Sequence, residues 1–448
     1  MHLYIQSLFI CLLLLAFDAH AAKIVLDKNL SLQVQITQAS AGDHLIIPDG
    51  QYSGNLLIDK PLTLSGSKQV TLDAQGKGNG ILITASNVTL DGFRVVNWGD
   101  DLTEQNAGIY TEGQLTHLTL KNMFLAGDGF GMWLQNVQHS QILANTVEGN
   151  TQLRSADRGN GIQLTNVKHN LVANNDISKV RDGLYVINSQ DNVLENNTLH
   201  ELRYGIHYMY SYDNQIINNH AYSTRAGYAM MNSRNLEITG NTTKNSEDYG
   251  FLLNYIIQSN ISNNIIKDVW TKPENKVLGR DGKGFFVYNS GYNTISHNIV
   301  ERAEIGIHLT AGSEKTQVYG NSFIDNPVQV KYVSNKKQEW SREGSGNYWS
   351  NYLGWDMDND LKGDVPFEPN DGIDQLLWQY PEMKILMSSP AILVLRWVQR
   401  QFPVLKAPGV KDSFPLMQAP EILDGESNNN TVSKLEGNDK LNVIVMNK

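Results

Sequence analysis

Cut at its glycines, the stretch Gly161–Tyr249 reads GIQLTNVKHNLVANNDISKVRD, GLYVINSQDNVLENNTLHELRY, GIHYMYSYDNQIINNHAYSTRA and GYAMMNSRNLEITGNTTKNSEDY. The first three lines are 22 residues long and the last is 23. Working outward, glycines open similar apolar segments at Gly80, Gly108, Gly131, Gly161, Gly183, Gly205, Gly227, Gly250, Gly284 and Gly306. A second column runs through Asn145, Asn175, Asn197, Asn219, Asn241, Asn264, Asn298 and Asn321. The asparagines step by 30, 22, 22, 22, 23, 34 and 23 residues, and the glycines from Gly131 by 30, 22, 22, 22, 23, 34 and 22. Both columns share the two long steps, so the extra residues are loops inserted into a constant coil.

A unit this small cannot bury its own apolar face and must stack on its neighbours. Short β-branched runs punctuated by Gly and Asn are strands and turns, with no room for a helix in 22 residues. The leucine spacing of a leucine-rich-repeat horseshoe is missing. The expected fold is therefore all-β, a right-handed parallel β-helix whose coils lie about 4.8 Å apart, so that residues one period apart touch. In that stack the asparagines form a buried amide ladder, each donating to one coil and accepting from the other. The glycines are expected to supply positive φ at a corner.

The ends read differently. Residues 1–21 resemble a secretory signal peptide, with an apolar run Leu8–Phe17 and Ala19-His20-Ala21 as cleavage site. Residues 22–47 suit an N-terminal cap of a strand and a short amphipathic helix, and 48–343 the β-helix. Residues 344–417 form a mixed, partly helical docking segment, with a helix from Pro390 to Phe402 capped by Ser389. The polar stretch 418–448 reads as a disordered tail. The one cysteine, Cys11, lies in the leader, and a solenoid with a continuous core needs no disulfide. The formal charge of −10 argues against nucleic acid. No apolar run of about 20 residues follows the leader, which argues against a membrane span.

Strand alternation then assigns faces. Positions one and three after each glycine are apolar and point inward; positions two and four point outward. One outward column reads Trp133, Gln163, Tyr185, His207, Ala229, Leu252, Phe286, His308, and the other holds Ile187, Met209, Met231 and Asn254. His207, Met209 and Met231 thus become neighbours on a solvent-facing wall. Imidazole with thioethers selects Cu(I) over hard cations; the plainer reading is that the methionines are packing beneath a partner or loop. Arg181, Arg203 and Arg225 stack as like charges one period apart and need carboxylates or an anionic partner between them. Asp182, Glu201 and Glu247 are the local carboxylates available. With Tyr185, these arginines read as a docking face for a partner. Asp356, Asp358, Asp360 and Asp364 gather oxygens as calcium requires, although Leu361 stands where such loops use glycine. His139 and His169 read as lone structural histidines.

Particular segments go further than the periodicity. Residues 204–210 (YGIHYMY), 346–356 (GNYWSNYLGWD), 364–371 (DVPFEPND) and 395–404 (LRWVQRQFPV) resemble the NosD family, and the likeness runs from about Lys23 to Met417. The resemblance implies a periplasmic accessory protein without catalytic activity, peripheral to the membrane. Its implied partners are an ABC transporter ATPase–permease complex, a copper-carrying lipoprotein and nitrous oxide reductase, whose copper–sulfide centre it helps to assemble. Cu(I) would bind transiently, and the segment bearing His207 and Met209 is the most family-like of the coils. The apolar Ile392, Leu393, Leu395, Trp397, Val398 and Phe402 would dock on the permease. The alternative is a carbohydrate-active β-helix, either a uronan epimerase or lyase or an anionic glycan-binding module. Against an enzyme, no Asp-Pro-His segment of the alginate-epimerase type occurs and the aspartates form no outward column.

Overall fold

The computed structural model describes residues 21–420, except 278, 311, 334–335, 371–373, 375–377, 379, 381–388 and 402–408. The expected leader up to His20, Phe402 and the tail beyond residue 420 lie outside the described residues. Three parallel sheets form the faces of one right-handed β-helix. The first has 13 strands, from Lys23–Val25 to Gln317–Tyr319; the second has 13, from Gly50–Ser53 to Tyr348–Trp349; the third has 12, from Leu56–Ile58 to Val328–Val333. A typical coil contributes Val193–Glu195, Thr198–His200 and Tyr204–Met209 to the three sheets in turn.

Residues one period apart are in register, as Leu194↔Ile216, Leu199↔Ala221 and Ile206↔Tyr228 illustrate. The inward residues fill the cylinder; Ile162, Leu184, Ile206, Phe251, Phe285 and Ile307 are all 0 % exposed. Tyr228, Phe251 and Phe285 stack along the axis with centroids 4.5 and 5.4 Å apart. Burying each such side chain contributes roughly 1.5–3 kcal/mol.

The asparagine ladder stands at the corner between the first and second sheets. Asn219 Nδ2 donates to Leu194 O at 2.9 Å and to Asn241 Oδ1 at 3.0 Å, while its Oδ1 accepts Asn197 N–H at 3.1 Å and Asn197 Nδ2 at 2.8 Å. The same pattern runs from Asn145 to Asn347. There Asp412 ends it, accepting the Asn347 N–H at 2.7 Å and the Trp349 Nε1–H at 2.9 Å. A second, shorter amide ladder, Asn170–Asn192–Asn214, occupies the corner between the third and first sheets.

The glycine column has a different cause from the one expected. Gly183 and Gly205 lie within strands and are not among the positive-φ glycines. A Cβ on Gly183 would stand 2.6 Å from Gly205 O and 2.8 Å from Leu199 Cδ2, so glycine is required by close packing. Positive φ falls instead on the residue before each ladder asparagine from Asn145 to Asn321: Ala144, Asn174, Asn196, Asn218, Gly240, Asn263, His297 and Gly320.

At the N-terminal end, the helix Leu32–Gln38 lays Leu32 and Ile36 over the open core. At the other end Phe323, Trp349 and Phe367 stack in series, with Trp340 beside Trp349. Gln338–Glu339 pairs with Val410–Lys411 to fasten this cover. The helix Pro390–Gln401 is not part of it. Ser389 Oγ accepts the Ile392 N–H at 3.4 Å, and Leu393, Val394, Leu395 and Trp397 are 52–60 % exposed. Among the described residues no helix is long and apolar enough to cross a membrane.

Replacing Asn219 by Ala strands the Asn197 N–H and amide in the core. Each unsatisfied buried group costs about 1–3 kcal/mol, so urea unfolding of Asn219→Ala is expected to show a loss of about 3 kcal/mol or more.

Candidate functional site

The outward face of the third sheet carries the predicted cluster. Register places Tyr185, His207 and Ala229 in one row and Ile187, Met209 and Met231 in the next. Met209 and Met231 are half-buried neighbours on adjacent coils. His207 departs from expectation: it points away from the core but is only 6 % exposed, so the wall is not open to solvent there. Two tyrosines cover it edge-on, Tyr185 with its ring centroid at 4.5 Å and Tyr204 at 5.2 Å. Tyr185 is held in turn, because its hydroxyl donates to Met209 Sδ at 3.1 Å.

The decisive partner is Asp182, fully buried at the start of the neighbouring strand Asp182–Ile187. Its Oδ2 lies 2.9 Å from His207 Nδ1, and it accepts two hydrogen bonds from Arg203, Nε to Oδ1 at 2.8 Å and Nη2 to Oδ2 at 2.5 Å. Burial pushes the Asp182 carboxyl upward, but the hydrogen bonds and charges of Arg203 and His207 outweigh it and hold the group below its ordinary value. With Nδ1 fixed, His207 Nε2 is buried and has no partner within the protein. An imidazole oriented by a carboxylate, with its other nitrogen unsatisfied, is the usual arrangement of a metal-ligating histidine. Met209 stands two residues along the same strand and Met231 beside it on the next coil, so the donor types on this face are soft. In donor chemistry, imidazole and thioethers suit Cu(I) better than a hard cation. Sequence reasoning took Asp182 only as a charge neutraliser. The available signal was an acid immediately before Gly183, where the coils on either side carry Asn160 and Tyr204.

The arginine column is partly neutralised. Arg203 is held by Asp182, and Arg225 Nε meets Asp248 Oδ2 at 2.6 Å. Glu247, expected to serve this column, faces Arg280 at 3.3 Å instead, and Glu201 faces His200 at 3.3 Å. Arg181 Nε is buried without a partner. Trp397, the remaining predicted docking residue, lies on the exposed helix far along the chain.

Of the acidic loop, Asp356, Asp358 and Asp360 converge, with oxygens within 4.8 Å of one another. The charge of Asp360 raises Asp358. Asp364 is turned to the Met357 N–H at 2.8 Å. Leu361 does adopt the φ of +66° that favours glycine. His139 and His169 are not lone residues: His117, His139 and His169 form an exposed stack with centroids 5.8 and 4.9 Å apart.

Fold and site together define a right-handed parallel β-helix whose third sheet carries an outward imidazole beside two thioethers. The profile of the family described as "Periplasmic copper-binding protein (NosD)" matches residues 143–354, and one described as "Protein of unknown function (DUF1565)" matches 31–214. A protein of Stutzerimonas stutzeri described as "Probable ABC transporter binding protein NosD" is 49 % identical over 370 residues, spanning 82 % of this chain and 85 % of its own. A protein of the same description from Pseudomonas aeruginosa is 52 % identical over 366 residues, spanning 81 % and 86 %. The chain belongs to the NosD family.

Solved structures share the fold alone. The Yersinia enterocolitica family 28 exopolygalacturonase superposes with a TM-score of 0.58 at 10 % identity, over 70 % of this chain and 76 % of that one. The Streptococcus pneumoniae adhesin PfbA gives 0.55 at 11 %, over 67 % and 94 %.

Farther along the third sheet, burial pushes Lys283 down to about 8. Burial, with the charges of Lys331 and Lys283, pushes His308 down to about 3. An unfolded lysine titrates near 10.4, so between pH 8 and about 10 the unfolded chain binds more protons and stability rises with pH. Lys283→Met is expected to melt above the parent protein at pH 7, with the difference shrinking toward pH 10 in parallel thermal scans.

Proposed function

We propose that this protein is a non-catalytic periplasmic accessory factor that handles Cu(I) during assembly of the copper–sulfide centre of nitrous oxide reductase. The observation that carries the reading is the carboxylate-held His207, whose Nε2 is buried and unpartnered beside Met209. Copper is cargo in this reading, taken from a copper-carrying lipoprotein and passed on. Asp182 fixes the ring, Tyr185 and Tyr204 limit access of water, and the thioethers favour the reduced ion over calcium or magnesium. Soft, weakly charged donors suit transfer, since the ion must also leave.

Membership of the NosD family and the relatives' description as ABC transporter binding proteins support a transporter partner. The exposed apolar surface of Leu393, Leu395 and Trp397 supports contact with its membrane permease. Twelve residues are too few to span a bilayer, and an apolar surface of this kind is covered in working assemblies.

Cu(I) titration against a chromogenic chelator tests the site. The triple variant His207→Ala, Met209→Ala, Met231→Ala is expected to bind Cu(I) at least about tenfold more weakly, since it loses all three soft donors; unchanged affinity removes the site. Separately, Leu393→Glu with Trp397→Glu is expected to abolish co-purification with the permease while leaving copper binding intact. The copper content of reductase matured without this protein tests the role itself, and normal loading would refute it. Turnover of alginate or pectin by the purified protein would instead establish a carbohydrate-active enzyme.

A further inference from the structure

The corner between the second and third sheets, where the chain passes from strands such as Thr198–His200 to strands such as Tyr204–Met209, is built unlike the other two. Both long coil steps spend their extra residues there. The first makes a loop around the short helical turn Ser155–Asp157, the second a loop around Pro273–Asn275. Between these two walls lies a cleft of about 770 Å³, within the roughly 300–1,000 Å³ of sites that enclose a ligand larger than a single ion. Arg181, Arg203 and Arg225 line it from three successive coils.

Its donors and acceptors are unbalanced. Every carboxylate on the cleft is turned to a basic group outside it: Glu201 to His200, Glu247 to Arg280 at 3.3 Å, and Asp268 to Arg302 at 2.7 Å. Several cations have no such partner. Arg158 donates only to main-chain carbonyls, to Leu153 O at 2.6 and 3.0 Å, Lys179 O at 3.2 Å and Thr151 O at 3.3 Å. Among the described residues, Arg158, Arg181 and Lys272 have no carboxylate within ion-pair range. Two lining atoms, Ser155 Oγ and Arg181 Nε, are buried with no hydrogen-bond partner in the protein. Buried donors of this kind mark where an acceptor belongs. Arg225 adds to the excess, because its carboxylate, Asp248, is shared with Arg280.

We propose that this cleft binds an extended, carboxylate-rich peptide segment of a partner protein. Arg181, Arg158 and Ser155 take the first carboxylate. Arg203 and Arg225, held stiffly by Asp182 and Asp248, present further donors at the coil spacing, and Lys272 with the half-exposed indole of Trp270 closes the far end. The length of the row favours a segment over a free ion, because the donors are spread over three coils about 4.8 Å apart. Guanidinium donors aligned this way are suited to bidentate carboxylate recognition. The inference does not rest on copper binding, although Arg203 and His207 share Asp182.

Fluorescence anisotropy of labelled hexaglutamate with the full chain, in the presence of a copper chelator, is the test. Salt-sensitive binding is expected, with hexalysine inert. Arg181→Gln is expected to weaken it at least about tenfold, the scale of one lost charge-assisted hydrogen-bonding group, at an unchanged melting temperature. Lys272→Gln, on an exposed wall where folding is not at issue, is expected to lower the salt dependence. Absence of hexaglutamate binding, or parent-like affinity in Arg181→Gln, overturns the proposal. Tighter, Arg181-dependent binding of inorganic sulfate or of an oligogalacturonate replaces it with a small-oxyanion or glycan site.

Discussion

Everything in this protein depends on vertical registry between coils, and the buried amide ladder from Asn145 to Asn347 enforces it. Side-chain alternation excludes a slip of one residue between coils, but a slip of two keeps Leu, Ile and Val inside, where such rows would pack almost as well. An amide is less forgiving. It must meet both the oxygen on one side and the main-chain N–H on the other, and a two-residue slip would leave those buried groups unsatisfied. The ladder converts a sequence period into a fixed lateral position, and so decides which side chains can act together.

That conversion builds the copper-site candidate. Asp182 and His207 are 25 residues apart in sequence yet hydrogen-bonded across adjacent coils. Met209 and Met231 are brought together in the same way. None of these residues is remarkable in its own strand; the site exists only as a row and its neighbour. The same stacking aligns the arginines, where like charges are tolerable because Asp182 and Asp248 are interleaved with them.

The architecture was legible from Gly161–Tyr249 because a fixed period needs no knowledge of tertiary contacts. The inward and outward faces were legible too, since alternation is a local rule. What escaped was covering. Tyr204 immediately precedes Gly205, and nothing in strand alternation says that its ring folds over His207. The reason for glycine also escaped, because Gly183 is set by the carbonyl of the next coil and not by its own backbone angles. The role of Asp182 was hidden for a related cause: a position at the strand start belongs to neither alternating face, so it reads as part of a turn. The closing of the C-terminal end by Trp349 and Asp412 could not be separated from the exposed helix, since both lie in one stretch of changed composition.

The two inserted loops are anchored to coils of invariant rise, and this makes the molecule a ruler. Their separation is set by the whole number of intervening 22- or 23-residue units, and no side-chain substitution on the floor can alter it gradually. Adding or deleting one unit would move the walls apart or together by a single increment while leaving the apolar interior unchanged in kind. Evolution could therefore retune what fits between them in discrete lengths, independently of the stability of the cylinder that carries them.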